Sequence, residues 1–355
     1  MAEADGWRGR TGRAAARRGR CGRQLGRSAL SEARRRVLVT GAGGFLGTRI
    51  AAALDDGFEV VRMFRHGNPG PGVAIADLDD ERALARACEG VAFVVHCAGH
   101  AHAHGARDDA AAHERINRLG TRRLAEAAVA AGVRHLVFLS SVKAAGHPGG
   151  AVADESWPAP PDTPYGRSKR AAEDALAQLC ADSPMVATSL RLAMVYGHGS
   201  RGNLERMLAG IRAGWFPPLP HTCGPRSMVH AADVVAAVRA VLGAPTARSR
   251  TFIVADAEPH TAARIYDLTR ALLGLSPMRW RVPAAVLRAA GHAGDAAGRL
   301  LRRRMPLDTA AVSRLLDPEC YSPRAIEREL GWRARVALAD GLREALGGEL
   351  PRAVP

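Results

Sequence analysis

Lysine is almost missing from this chain: Lys143 and Lys169 are the only two among 50 basic side chains, and all the others are arginine. An ammonium is a compact charge with rotatable donors, whereas guanidinium is a fixed planar fork, so two retained lysines call for specific tasks. Long apolar runs are missing too. Charge or glycine breaks them well before about 18 residues, which excludes a membrane-spanning helix, and no hydrophobic stretch follows the basic N-terminus to make a secretory signal. Cys21, Cys88, Cys97, Cys180, Cys223 and Cys320 form no CxxC pair and no dense framework, which fits reduced thiols in a cytoplasmic protein.

Acidic residues are scarce where the charge is concentrated. The formal net charge is +15, and residues 1–36 hold eleven arginines against Glu3, Asp5 and Glu32, so 11 − 3 = +8 lies there. That segment is rich in Gly, Ala and Arg without an apolar period, and residues 1–34 are expected to be a disordered leader. Divided in this way, the charge points to no specific nucleic-acid partner.

What is present is an alternation. Arg36 to Thr40 reads as a short buried strand, Phe45 to Leu54 as a helix and Phe58 to Phe64 as a second strand. Val73 to Ile75, a helix over Glu81 to Cys88, a strand over Ala92 to His96, a long helix over Ala110 to Ala131, a strand over Val133 to Leu139 and a helix over Pro164 to Cys180 continue it. The pattern predicts a parallel sheet covered on both faces. Beyond Leu192 the chain is richer in loops, short helices and proline, with one more strand at Thr251 to Val254. This predicts a cofactor-binding region over 35–195 and a smaller lobe, mainly 196–348, closing over the carboxyl ends of the sheet, with the 251–254 strand returning to it.

Gly41-Ala42-Gly43-Gly44-Phe45-Leu46-Gly47 follows the first strand and opens the first helix. In that context the glycines allow a tight turn and close backbone approach, and the helix N-terminus offers amides to a pyrophosphate. The acid expected about 20 residues later for an NAD ribose is missing. The neighbourhood reads Val61-Arg62-Met63-Phe64-Arg65, so either arginine faces a 2′-phosphate or solvent, and the cofactor is NAD or NADP. Asp77-Leu78 either holds the adenine edge or forms a surface turn, and Ala98 ends the fourth strand where the nicotinamide half would pass.

Tyr165 and Lys169 lie four residues apart, on one face of a helix. An ammonium stabilises a phenolate, and Ser141 at the end of the preceding strand is placed to orient an alcohol or carbonyl oxygen. Lys143 either meets a substrate phosphate at the rim or is a solvated loop charge. His96, His100, His102, His104 and His113 have no spacing that defines a metal site, and no metal is expected.

With these residues in view, the chain resembles the extended short-chain dehydrogenase/reductase family, in particular its nucleotide-sugar epimerase/dehydratase branch. The likeness rests on Thr40 to Gly47, Asn117-Arg118-Leu119-Gly120-Thr121, Tyr165 to Lys169, and Arg191 to Gly197. It implies an α/β fold: a Rossmann-type doubly wound parallel sheet with a smaller, mostly C-terminal substrate-binding lobe. It implies Tyr165 as general acid/base, Lys169 as ribose binder and tuner, Ser141 as carbonyl partner and Asn117 as a support for active-site hydrogen bonds. For the substrate it points to Asn203, to Arg226 on a diphosphate, and to the loop bearing His102; it also implies a homodimer. Leu192, His198 and Ala231-Ala232-Asp233 depart from the family pattern and bear on the pocket rather than on hydride chemistry. The activity implied is a 4-epimerase of a UDP-hexose or UDP-N-acetylhexosamine working through a 4-keto intermediate. The alternatives are an NAD(P)H-dependent reductase of a nucleotide-linked 4-keto sugar and a nonenzymatic dinucleotide sensor. A dehydratase is disfavoured because Val142, not an acid, follows Ser141.

Overall fold

In the computed structural model, residues 34–100, 110–200, 202–244, 249–301, 303 and 305–348 are described. The chain opens with β1 (Arg36–Thr40), α1 (Phe45–Leu54), β2 (Glu59–Phe64), β3 (Val73–Ile75), α2 (Glu81–Cys88) and β4 (Phe93–His96). A short turn α3 (Ala110–Ala112), a π-helix (His113–Leu119) and α4 (Gly120–Ala130) lead into β5 (His135–Ser141) and a 3-10 turn (Val142–Ala145). Then come β6 (Val152–Ala153), α5 (Pro164–Ala181), β7 (Val186–Leu192) and β8 (Met194–Tyr196).

The remaining elements are α6 (Asn203–Arg212), β9 (Pro225–Arg226), β10 (Met228–His230), α7 (Ala231–Gly243), β11 (Arg250–Val254), β12 (His260–Thr261) and α8 (Ala262–Leu272). They are followed by α9 (Ala284–Leu300), α10 (Thr309–Leu316), β13 (Cys320–Tyr321), α11 (Arg324–Leu330) and α12 (Leu338–Ala345).

Seven strands form one parallel sheet in the order β3-β2-β1-β4-β5-β7-β11. The order reverses between β1 and β4, and the crevice above that point is where such sheets take ligand. Alternate strand residues serve opposite faces. Val37 and Val39 pack with Ile50, Leu54 and Val238 on one side. Leu38 packs with Leu84, Leu124 and Leu176 on the other. Both faces are dry, which is why the strands read as unbroken apolar runs. The 250–254 strand pairs with β7 at the sheet edge. A third core of Leu204, Met207, Leu208, Tyr266, Leu316 and Leu342 organises the smaller lobe. Among the described residues no helix is long and apolar enough to cross a membrane.

Two elements differ from the sequence expectation. The helix read as continuous over 110–131 is interrupted by the π-helix, where the Gly120 amide bonds back to the Arg115 carbonyl. The extra residue in that turn changes which side chains face inward, and Asn117 is one of them, 1% exposed. The next strand starts at His135 rather than Val133, because Gly132 takes φ +73° and the Val133 amide bonds to the Ala128 carbonyl at 2.9 Å, closing the preceding helix. The shift places Ser140 and Ser141 inside the strand.

A Cβ at Gly47 would lie 2.1 Å from the Gly41 carbonyl oxygen. Gly47→Ala is therefore expected to lower stability by about 1–3 kcal/mol through overpacking of the loop against α1, measured by denaturant unfolding. Dinucleotide affinity in a fluorescence titration should weaken with it.

Candidate active site

The crevice starts with a loop that has no room for side chains. Gly41 holds φ +64°, and a Cβ there would meet the Ala98 amide nitrogen at 2.8 Å. The turn closes through the Gly44 amide on the Gly41 carbonyl at 2.9 Å. α1 starts at Phe45 with no side-chain cap, whereas Asp80, Thr163, Thr261 and Asp308 cap α2, α5, α8 and α10. Bare amides at a helix N-terminus, beside backbone that nothing obstructs, fit a dinucleotide pyrophosphate. Leu46 packs partly into the core.

The residues read as nucleotide contacts are divided by the structure. Arg62 pairs with Asp55 at the end of α1, so its charge is committed. Arg65 is exposed just past the end of β2, with Nε 3.0 Å from His66 Nε2. Phe64 ends β2, its ring 3.6 Å from where a Gly43 Cβ would stand, in the neighbourhood of the missing acid. The Asp77 carboxylate accepts from the Asp79 amide at 3.1 Å, and Leu78 is buried beneath Gly120, whose absent Cβ would lie 2.9 Å from it.

Tyr165, Lys169 and Ser141 come together at the end of β5. Thr163 caps α5 by accepting from the Gly166 amide at 3.0 Å, and Pro164 starts the helix with φ already suitable. A Cβ at Gly166 would lie 2.3 Å from the Lys143 carbonyl oxygen, so only glycine lets α5 come this close to the turn after β5. That approach brings Tyr165 to Ser141. Burial raises the Tyr165 phenol above its ordinary range, and a hydrogen bond with Ser141 pulls it back. Lys169 is 5% exposed; its Nζ donates to the Leu139 carbonyl at 2.8 Å and sits 4.5 Å from the Phe138 ring centroid. Burial lowers its pKa to about 8, with Glu173 and Cys97 opposing the fall. The groups shifting Tyr165 do not include Lys169, whose ammonium is turned to the strand end beside Gly99.

Asn117 ties this corner together. Its Oδ1 accepts from the His100 amide at 2.7 Å, and its Nδ2 donates to the His100 carbonyl and to Ser168 Oγ, both at 3.0 Å. The His113 ring stands between His100 and Tyr165, with centroids at 4.9 and 5.6 Å. His102 lies outside the described residues.

Four residues to which the sequence reading assigns no role shape the site. Glu173, one helical turn after Lys169, accepts from Ser140 at 2.5 Å and takes Arg191 in a bidentate pair, all buried. The i, i+4 step from Lys169 was its signal. His96 forms the second group: its Nδ1 lies 2.7 Å from Thr40 Oγ1 and its Nε2 3.0 Å from Thr121 Oγ1. The Ala98 amide donates to Thr40 Oγ1 and Thr121 donates to the Asn117 carbonyl, so proton supply runs one way and the neutral ring carries its proton on Nε2. Burial, with the charge of Lys169 added, lowers its pKa to about 3.

The third and fourth are Glu319 and Tyr321, for which the sequence offers no signal. Lys143 and Arg226 both pair with Glu319, which is 4% exposed, and Arg226 also donates to the Asp317 carbonyl at 3.2 Å. The Tyr321 hydroxyl lies 2.9 Å from Glu319 Oε1. Lys143 is thus not the freely solvated loop charge of one sequence reading. Burial alone would raise the Glu319 carboxyl, but Arg226 and Lys143 outweigh it and hold the group below its usual range. Asn203 is exposed as the first residue of α6. Among the described residues no cluster suited to a metal ion occurs.

A glycine loop at the switch point, with a half-buried tyrosine and a buried lysine at the strand ends, is the arrangement of the nicotinamide-dependent Rossmann enzymes. Residues 37–255 match the NAD dependent epimerase/dehydratase family, and the chain belongs to it. It is 30% identical to a UDP-glucose 4-epimerase of Vibrio cholerae, over 70% of this chain and 79% of that one. It is 28% identical to a ceramide reductase of Caulobacter vibrioides, over 88% and 93%. MoeE5 in complex with UDP-glucose and NAD superimposes with TM-score 0.68 at 26% identity, covering 88% of this chain and 97% of that one. The protein is an NAD(P)-dependent epimerase or oxidoreductase, which excludes the nonenzymatic sensor.

The His96 imidazole is expected to stay neutral, protonated on Nε2, from pH 8 down to pH 5; its 15N shifts would be invariant where an exposed histidine titrates near 6.5. Glu319→Gln is expected to cost about 2–4 kcal/mol at pH 7, because Lys143 and Arg226 lose their shared partner. The depressed pKa gives the wild type stability above about pH 4.5 that is lost as pH falls through the folded value. Chemical denaturation of both proteins at pH 7 and pH 4 would show the difference narrowing at the lower pH.

Proposed function

We propose that the protein is a 4-epimerase of a UDP-hexose or UDP-N-acetylhexosamine. The observation that carries this reading is the placement of Tyr165, at the start of α5, against Ser141 at the end of β5, beside the bare glycine loop. Tyr165 takes the proton of the C4 hydroxyl, and Ser141 donates to the oxygen as it becomes a carbonyl. Bound NAD(P) supplies the hydride acceptor and then the donor. Gly41, Gly44, Phe45, Gly47 and Ala98 would line the cofactor, Asn117 would hold the strand end, and Lys169 would reach its ribose. Epimerisation requires the 4-keto sugar to turn while its diphosphate stays anchored. Arg226 and Lys143 are the cations at hand, held by Glu319, with Asn203 on the rim. With Arg62 occupied, discrimination between NAD and NADP falls to Arg65. A homodimer and a cytoplasmic setting with reduced thiols accompany the reading; Cys88, Cys97, Cys180, Cys223 and Cys320 are free.

A second reading is a one-way ketoreductase using NAD(P)H. It is favoured by coverage, since the ceramide reductase aligns over 88% of this chain and the UDP-glucose 4-epimerase over 70%. The same Tyr165 and Ser141 would protonate and polarise the ketone.

Purified protein supplied with UDP-hexoses, UDP-N-acetylhexosamines and their 4-keto derivatives separates the two. Epimer formation without net cofactor use supports the first, and stoichiometric NAD(P)H consumption the second. Tyr165→Phe is expected to lower kcat about 10²–10⁴-fold while dinucleotide affinity, read by titration, is kept. Undiminished turnover in that variant would sink the assignment.

A further inference from the structure

α9 has two outward stripes, a polar one with Arg288, His292 and Arg299 exposed and an apolar one beside it. Its inner face is a seam of Leu287, Gly291, Gly294 and Gly298, packed so closely that a Cβ at Gly294 would lie 1.8 Å from the Leu307 carbonyl oxygen. Its outer face carries Val286, Ala289, Ala293 and Leu300 at helical spacing, all exposed, with Val286 at 55% and Leu300 at 84%. Leu301, 52% exposed, and Trp280, 58% exposed, extend the apolar surface beyond both ends of the helix.

The same stretch is cationic. Residues 279–304 hold seven arginines and one acid, 7 − 1 = +6. That acid, Asp295, is half-exposed; its Oδ2 accepts from the Thr309 hydroxyl at 2.7 Å, which lowers its pKa, and Arg299 lies near enough to lower it further. Arg281 and Arg288 pair with Asp267 and Asp317, whereas Arg279, Arg299 and Arg303 make no salt bridge among the described residues.

We propose that α9 and its flanks are a docking surface for an anionic lipid bilayer. The helix lies in the plane of the headgroups, Val286, Leu300, Leu301 and Trp280 enter the acyl boundary, and Arg279, Arg299 and Arg303 meet lipid phosphates. Charge decides against a second copy of the chain. A two-fold pairing of α9 would set arginine-rich ends against a surface whose one carboxylate, Asp295, is already engaged by Thr309 and Arg299, while the headgroups provide further anions. A 17-residue helix, about 26 Å long, lies along a membrane and does not cross it. The inference goes beyond the catalytic reading and stands without it.

The test is co-sedimentation of the full chain with phosphatidylcholine vesicles, with and without about one third phosphatidylglycerol. The wild type is expected to bind the anionic vesicles, more weakly as salt rises. Leu300→Asp with Leu301→Asp should reduce partitioning about ten-fold or more, and Arg299→Glu with Arg303→Glu should reduce it on anionic vesicles. The eleven arginines of residues 1–36 are the same in every chain, so the difference reads the helix alone. Equal binding by wild type and both variants, or no binding by the wild type, overturns the proposal. So does light scattering in which Leu300→Asp with Leu301→Asp splits a dimer in the absence of lipid. Turnover and unfolding midpoint should be unchanged in both variants.

Discussion

A single ammonium without water sets the terms for the centre of this protein. Lys169 is held at the carboxyl end of the sheet with one carbonyl to donate to, an aromatic face beneath it and a carboxylate one helical turn away. Removing a charge from water costs several kcal/mol unless partners replace the solvent. Each neighbour answers that cost in part. Glu173 opposes the fall in the lysine pKa, yet it is itself buried and must be neutralised by Arg191 and fixed by Ser140. One buried cation thus commits β5, α5 and β7 to a joint register, and the catalytic tyrosine proposed here rides on the same helix.

The sequence conveyed the scaffold well because its signals are local. The apolar runs of β1, β4 and β5 and the glycines after β1 report buried strands and a bare helix start without knowledge of any distant residue. The Tyr165/Lys169 pair was legible for the same reason: a four-residue step on a helix is a spatial statement. What escaped is non-local or concerns backbone irregularity. The π turn at His113–Leu119 depends on Asn117 being drawn toward the His100 backbone and Ser168, and nothing in the helical period marks it. Glu319 sits between a proline and a cysteine in a C-terminal loop, where no spacing rule links it to Lys143 or Arg226.

His96 illustrates a related limit. As a residue type it suggests a titrating or metal-binding group. Its surroundings instead make it a neutral strut between the end of β1 and the start of α4, just after Asn117. A hydrogen-bond chain with one sense of proton donation is rigid because reversing any member would set two donors face to face. The strut joins β1 to α4 through the buried interior of the sheet.

The carboxylate shared by Lys143 and Arg226 comes from a part of the chain made late. On a ribosome the sheet gains its last strand when Val254 has emerged, but the apolar layer on one face is completed only by Tyr321, Ile326 and Trp332. Lys143 and Arg226 must then wait, facing solvent, until Glu319 arrives. A nascent chain of this protein therefore passes through a stage with a paired sheet, one incomplete core and an unfinished mouth. Assembly of the mouth is timed by synthesis of the segment around Glu319.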